Sequence, residues 1–147
     1  MPLSSNAMQL SPSGLTLVET RDLIDALPSP VALLDRHGCI HSINQAWQER
    51  GVDSDSDLHS REIGADYRLI CEKAARHADT DAGLFARGLQ AVLAGERAAF
   101  EMQAPEAVGD ELHVFRARVT RLTDSHGPYY LLSREDVSGR TTAVGQA

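Results

Sequence analysis

The stretch that most constrains this chain runs from Val31 to Trp47 and reads V-A-L-L-D-R-H-G-C-I-H-S-I-N-Q-A-W. Val31, Ala32, Leu33 and Leu34 form an unbroken apolar run, the pattern of a central strand covered on both faces. Asp35-Arg36-His37-Gly38 follows as a turn, and its glycine can take the positive φ that a tight hairpin with a bulge requires. Cys39 to Ile43 then alternates, with Cys39, His41 and Ile43 on one side and Ile40 and Ser42 on the other. Asn44 is suited to cap a helix, and Ala46 and Trp47 open a short one behind it. Strand, hairpin, strand and immediate helix leave few architectures open.

The rest of the chain must supply the cover for that strand. Its 147 residues suffice for one domain with a single modest core. A net charge of -7 with no local basic stripe argues against a nucleic-acid groove. The apolar runs are far too short to span a membrane. No charged-then-apolar leader precedes them, so a cytoplasmic location is expected. Cys39 and Cys71 make neither a disulfide framework nor a closely spaced metal-binding pair, and two buried thiols are expected.

Residues 1–14 are rich in Ser, Pro and Asn and read as a disordered tail. Leu15 to Leu27 reads as a helix with Leu17, Ile24 and Leu27 on one face, while Val18 and Leu23 lie off that line; Pro28 ends it. After Trp47 the short helix is expected to stop near Gly51. Val52 to Ser60 is polar and acidic and reads as a solvated surface loop. Its Asp53, Asp55 and Asp57 have the spacing that opens a calcium loop, but the glycine and late glutamate of that motif are missing, so no metal is expected.

Ala65 to Ala78 is amphipathic, with Tyr67, Ile70, Cys71, Ala74, Ala75 and Ala78 on one stripe. Asp66 lies at its positive end and Lys73, Arg76 and His77 towards its negative end. A second helix, Asp81 to Ala94, stops at Gly95 and presents Leu84, Phe85, Leu89, Val92 and Leu93. Three alternating strands follow. Ala98 to Ala104 points Phe100, Met102 and Ala104 to one side. Glu111 to Leu122 does the same with Phe115, Ala117 and Val119. Tyr129 to Val137 closes the set after a turn at Asp124-Ser125-His126-Gly127. Two strands, a helical middle and three strands make an α+β pattern with antiparallel pairing.

This order of elements, over about residues 22 to 140, resembles a PAS domain. So do the asparagine that ends the second strand, the block Gly64-Ala65-Asp66-Tyr67-Arg68-Leu69-Ile70-Cys71, and the closing Asp136-Val137-Ser138-Gly139-Arg140. The last is similar to the Asp-(Ile/Val)-Thr-x-Arg signature at which PAS domains hand over to a signalling helix. The resemblance implies a five-stranded antiparallel sheet in order 2-1-5-4-3, with helices on one face and an N-terminal capping helix. It divides the chain into the tail, the capping helix of residues 15–27, a PAS domain of residues 28–140, and the start of a linker at 141–147.

The resemblance also implies a function: a sensory or interaction domain of a bacterial signalling protein. Its output module would be a histidine kinase, a cyclic-di-nucleotide enzyme or a transcription regulator. In such domains the inner sheet face and middle helices line a ligand cavity, which here would involve Trp47, Tyr67, Cys71, Phe85, Leu89, Phe100, Met102, Phe115 and Leu132. The same residues also read as plain core. Asp136, Val137, Ser138 and Arg140 would transmit the signal. Leu17, Val18, Leu23, Ile24 and Leu27 would form a homodimer seam, since apolar residues on two sides of a helix suggest two partners; the alternative is a lid that only covers its own sheet.

No nucleophile beside a base, nucleotide loop or metal-binding helix motif occurs, so no catalytic residue and no enzyme activity is assigned. The acids read as solvated surface charges. The helix after His77, which carries the axial ligand in haem-binding PAS domains, contains no histidine, and haem is not expected. Cys71 lacks the Asn-Cys-Arg-Phe-Leu-Gln surroundings of a photochemical flavin thiol, and reads as a small buried hydrophobe. A small organic ligand is the cofactor class left open. Two alternatives stand beside the sensor: a ligand-free interaction domain with a filled core, and a cone-shaped α+β enzyme of isomerase or dehydratase type, which would need a different strand order.

Overall fold

Every side chain of β1, Val31–Leu34, is apolar, and all four are buried, so this strand can only sit inside the molecule. β2, Ile40–Ile43, returns antiparallel beside it across a hairpin in which Gly38 adopts φ +84°, the left-handed conformation that favours glycine. Asp35 organises that turn: its carboxylate accepts the backbone N–H groups of His37 at 2.8 Å and Cys39 at 3.0 Å. The computed structural model describes residues 22–53, 57–76, 80–124 and 127–138. The tail of residues 1–14, Leu17 and Val18, Arg140 and the linker residues 141–147 lie outside the described residues.

Asn44 starts α1, Gln45–Asp53, as an N-cap whose Oδ1 accepts the Trp47 N–H at 2.9 Å. The same oxygen accepts the Val31 N–H at 2.9 Å, and the amide group donates to the carbonyls of Ile24 and Ser29, each at 2.9 Å. One buried side chain therefore begins a helix and ties down β1 and the segment before it. In that segment residues 22–25 are helical. Ile24 is buried, whereas Leu23 and Leu27 are 56% and 42% exposed. Leu27 thus does not share the buried face with Ile24 as expected; the helical turn ends at Asp25, and Leu27 already belongs to the connection into Pro28.

α1 runs two residues past Gly51, and a single 3-10 turn, Asp57–His59, follows. α2, Tyr67–Arg76, is capped by the Asp66 carboxylate, which accepts the Leu69 N–H at 3.2 Å. α3, Thr80–Leu93, ends where sequence periodicity places its end: Glu96 N–H donates to the Ala91 carbonyl and Gly95, at φ +82°, to that of Val92, a Schellman closure. Leu84 departs from expectation. It is exposed, and the buried stripe of α3 is Ala82, Phe85, Ala86, Leu89 and Val92. Gly88 lies on that stripe because an added Cβ would stand 2.3 Å from the Phe100 ring.

The last three strands are β3, Ala99–Val108, β4, Glu111–Asp124, and β5, Gly127–Asp136. β3 extends beyond Ala104 and takes Pro105 and Glu106 into the sheet, which an edge strand tolerates. The five strands form one sheet in order β2-β1-β5-β4-β3, every pair antiparallel. β5 lies at its centre, paired to β1 from Val31↔Ser133 to Leu34↔Tyr130 and to β4 along its whole length. The outer edge of β2 is covered by residues 64–67, through Ile40 N–H to the Ala65 carbonyl at 2.8 Å and Tyr67 N–H to that of Gly38 at 3.0 Å. The core lies between the helices and the inner sheet face of Ala32, Leu34, Ala117, Val119, Tyr130 and Leu132.

Candidate functional site

Strand parity carries charge into this core. On β3 the inward positions are Phe100, Met102, Ala104 and then Glu106. On β5 they are Tyr130, Leu132 and then Arg134, which is 6% exposed. Arg134 donates from Nη2 to Glu106 Oε1 at 2.5 Å, across the intervening strand β4. Burial works against the charge of Arg134, but Tyr67 and Glu106 beside it outweigh that effect and raise its pKa.

The 3-10 turn contributes the third member. Residues 52–60 were expected to be a solvated loop, yet Leu58 and His59 are buried. Two aromatic side chains draw them in: the Trp47 indole donates to the Ser60 carbonyl at 2.9 Å, and the Tyr67 hydroxyl to the Leu58 carbonyl at 2.7 Å. His59 lies between Trp47 and Phe115, with ring centroids 5.5 and 5.7 Å away. Its Nδ1 is 3.8 Å from Glu106 Oε2, too long for a hydrogen bond. Burial first, then the charges of Arg134 and Arg50, push its pKa down to about 3, so the ring is neutral at physiological pH. The guanidiniums of Arg50 and Arg134 stand 5.1 and 5.8 Å from the Phe115 ring centre.

Buried polar atoms normally find partners. Among the described residues five buried side-chain atoms have none, and three of them are here: both ring nitrogens of His59 and Arg134 Nε. Beside them is a cavity of about 20 Å³, enough for a water molecule and little more. Arg134, Glu106 and Asp81 form its polar wall, and Cys71, Phe85, Met102 and Phe115 are prominent in its apolar one.

Of the residues singled out in the sequence, Cys71, Phe85, Met102 and Phe115 therefore line this cavity. Trp47, Tyr67, Leu89 and Leu132 are fully buried core residues outside its lining, with Tyr67 directly behind Arg134, and the partly buried Phe100 packs against that core. The reading of the acids as surface charges is corrected by Glu106, whose side chain is only 13% exposed. Glu106, His59 and Arg134 are the members that sequence reasoning missed. Extending the alternation of the third and fifth strands by one inward position each would have found two of them.

The far end of β5 forms a second cluster. Asp136 Oδ1 accepts the Ser138 N–H at 3.0 Å and its hydroxyl at 2.7 Å, while Ser138 Oγ accepts the Val114 N–H at 2.8 Å. Val137 N–H donates to the Val114 carbonyl at 2.8 Å, and Val137 is buried. His113 binds Asp136 through Nδ1 and Glu111 through Nε2, and these bonds raise its pKa. Partial burial works against ionisation of Asp136, but the bonds from His113 and Ser138 prevail and hold it at about 2. The chain thus leaves the sheet from a locked position. Among the described residues no cluster of His, Cys, Asp and Glu could hold a metal ion, and no helix is long and apolar enough to cross a membrane.

A central exit strand, helices over one sheet face and a polar cavity between them define a small α+β domain whose interior touches the strand that leaves it. The chain belongs to the PAS family: a family model described as PAS fold matches residues 24–142. Solved structures share the fold. The PAS domain of Bordetella pertussis BvgS aligns with TM-score 0.57 and 19% identity, over 88% of this chain and 92% of that one. A phage VqmA–DPO complex aligns with TM-score 0.60 and 16% identity, over 88% of this chain and 56% of that one. An uncharacterized 104.1 kDa Rhodobacter capsulatus protein, named for the hypE 3'region, is 32% identical over 112 residues, covering 69% of this chain. The chain spans only 12% of that relative's length.

Proposed function

We propose that this chain is the sensory PAS domain of a bacterial signalling protein, acting in the cytoplasm on an output module that adjoins it in the full-length protein. The observation that carries this reading is the position of Arg134. It faces the cavity from β5, and Asp136, the first residue of the exit lock, lies two residues further along the same strand face, about 7 Å away. A ligand that engages Arg134 pulls on the strand that leaves the domain. Such a ligand shifts the exit only if it binds one arrangement of that strand better than the other. That a VqmA protein of similar fold has been solved in complex with DPO is consistent with ligand recognition in this architecture.

The domain works as a homodimer in this reading. Leu23, on the helical turn, and Leu27, in the connection that follows it, present exposed apolar side chains beside the anchored Ile24 and offer part of a seam. The alternatives differ in what they require. A pure interaction domain needs no ligand, and the cone-shaped enzyme needs a strand order other than the one found. A native mass spectrum with an absorbance spectrum of the purified chain tests the sensory reading. Two subunits, a retained or added small molecule, and no haem or flavin band are expected. A monomer that neither retains nor takes up any small molecule overturns it.

A further inference from the structure

Around Phe115 the hydrogen-bonding inventory is unbalanced. Donors are in excess: the Arg134 guanidinium with an unpartnered Nε–H, the Arg50 guanidinium over the same ring, and one N–H of the neutral His59. Against them stand one carboxylate, Glu106, which occupies Nη2 of Arg134 and falls short of His59, and the Tyr67 hydroxyl oxygen beside the same guanidinium; neither of them reaches Arg134 Nε. The other acid on the cavity wall is Asp81, at the start of α3. A buried arginine with an unused N–H beside a second guanidinium is the environment of an anion with two acceptor oxygens.

Glu106 itself shows what fits. Its side chain is a propionate-like arm reaching Arg134 from an edge strand, and its partial exposure leaves it a route outward. The cavity is too small for a ligand beside it. With the arm turned out, the space it leaves merges with the apolar wall of Cys71, Phe85 and Met102. We propose that Glu106 is an internal placeholder, and that the ligand of this site is a short-chain monocarboxylate of propionate size. The ligand takes the place of Glu106 on Arg134 and lays its tail on that apolar wall. Exchange would free Arg134 from β3 and leave it held by the ligand and the Tyr67 hydroxyl beside it, which links occupancy to the exit strand. This inference rests on the sensory reading and names the chemistry of its site.

Wild-type protein titrated with propionate and, separately, with propionamide tests it, read by the NMR signal of the Arg134 Nε–H and by melting temperature. Propionate should move the signal saturably and raise the melting temperature, and propionamide should do neither. Glu106→Ala, which removes the internal competitor, should bind propionate about tenfold tighter or more. In Arg134→Met, read by melting temperature alone, propionate should no longer raise the melting point. Equal effects of acid and amide, a propionate response that survives Arg134→Met, or a Glu106→Ala affinity no better than wild type overturns the proposal. If Glu106→Ala does not fold, the two wild-type titrations decide alone. A neutral compound that fills the cavity in place of the acid removes the carboxylate class and leaves the sensory reading standing, so the two can fail separately.

Discussion

The inner face of the sheet has two ends that obey different rules. At one end Tyr130, Leu132 and Val119 meet Ala86, Leu89 and Val92 of α3, and contact is so close that Gly88 has no room for a Cβ beside Phe100. At the other, α1 and the 3-10 turn cover Glu106, Phe115 and Arg134, and buried donors go without partners. The first end is built for stability: apolar surface is removed from water at close-packed density. The second works against stability, since each unpartnered buried polar group costs about 1–3 kcal/mol. The difference teaches that this core is only half devoted to holding itself together, and its costly half is the one in contact with the exit strand.

The sharpest way to break that comparison is to remove the buried pair. Arg134→Met alone removes the buried partner of Glu106 and should cost about 3 kcal/mol, the lower end for breaking a buried ion pair, because Glu106 has a route outward. The double variant Arg134→Met with Glu106→Leu should recover most of that loss, because an apolar end packs as well as the other. Denaturant melts of the three proteins check this. A double variant as unstable as the single one would mean that the charges are structural, and the comparison would fail.

A smaller effect separates the ends by pH. His59 is held at about 3 in the fold and takes up a proton near 6.5 when unfolded. The unfolded chain therefore binds more protons over that window, and this histidine's contribution is complete above about pH 6.5 and is lost as pH falls towards 3. His59→Phe should match or exceed wild-type stability at neutral pH. It should then outlast wild type by about 2 kcal/mol at pH 5, where the shift is worth about 1.4 kcal/mol per unit. Melting curves of the two proteins across pH 7 to about 4 measure it. Parallel losses in both would show that His59 is not the proton acceptor.

An effect of similar size, without the pH dependence, belongs to the apolar end. Gly88→Ala forces a methyl group against the Phe100 ring and should cost about 1–3 kcal/mol with no change in pH dependence. A neutral outcome in a thermal melt would mean that this end is looser than its contacts imply.

Much of the architecture was legible because it is written in local chemistry. The continuous apolar run of β1, the turn closed by Gly38, the cap at Asn44 and the stop at Gly95 each act within a few residues, and each stands where its sequence signal placed it. Alternation within strands was equally local and assigned Phe115, Ala117 and Val119 to the core. The PAS family resemblance added the strand order, which no local signal contains. The polar end was another matter. Periodicity states which face a residue takes but not what waits there, and a charge on an inward position is tenable only when its partner arrives from elsewhere. Glu106 and Arg134 are 28 residues apart and meet across a strand that neither belongs to. His59 came inside because Trp47 and Tyr67, from two different helices, hydrogen-bond the backbone on either side of it. Those encounters are decided by how the sheet and helices close on one another, so only the tertiary structure could turn three residues with ordinary surface chemistry into a buried site.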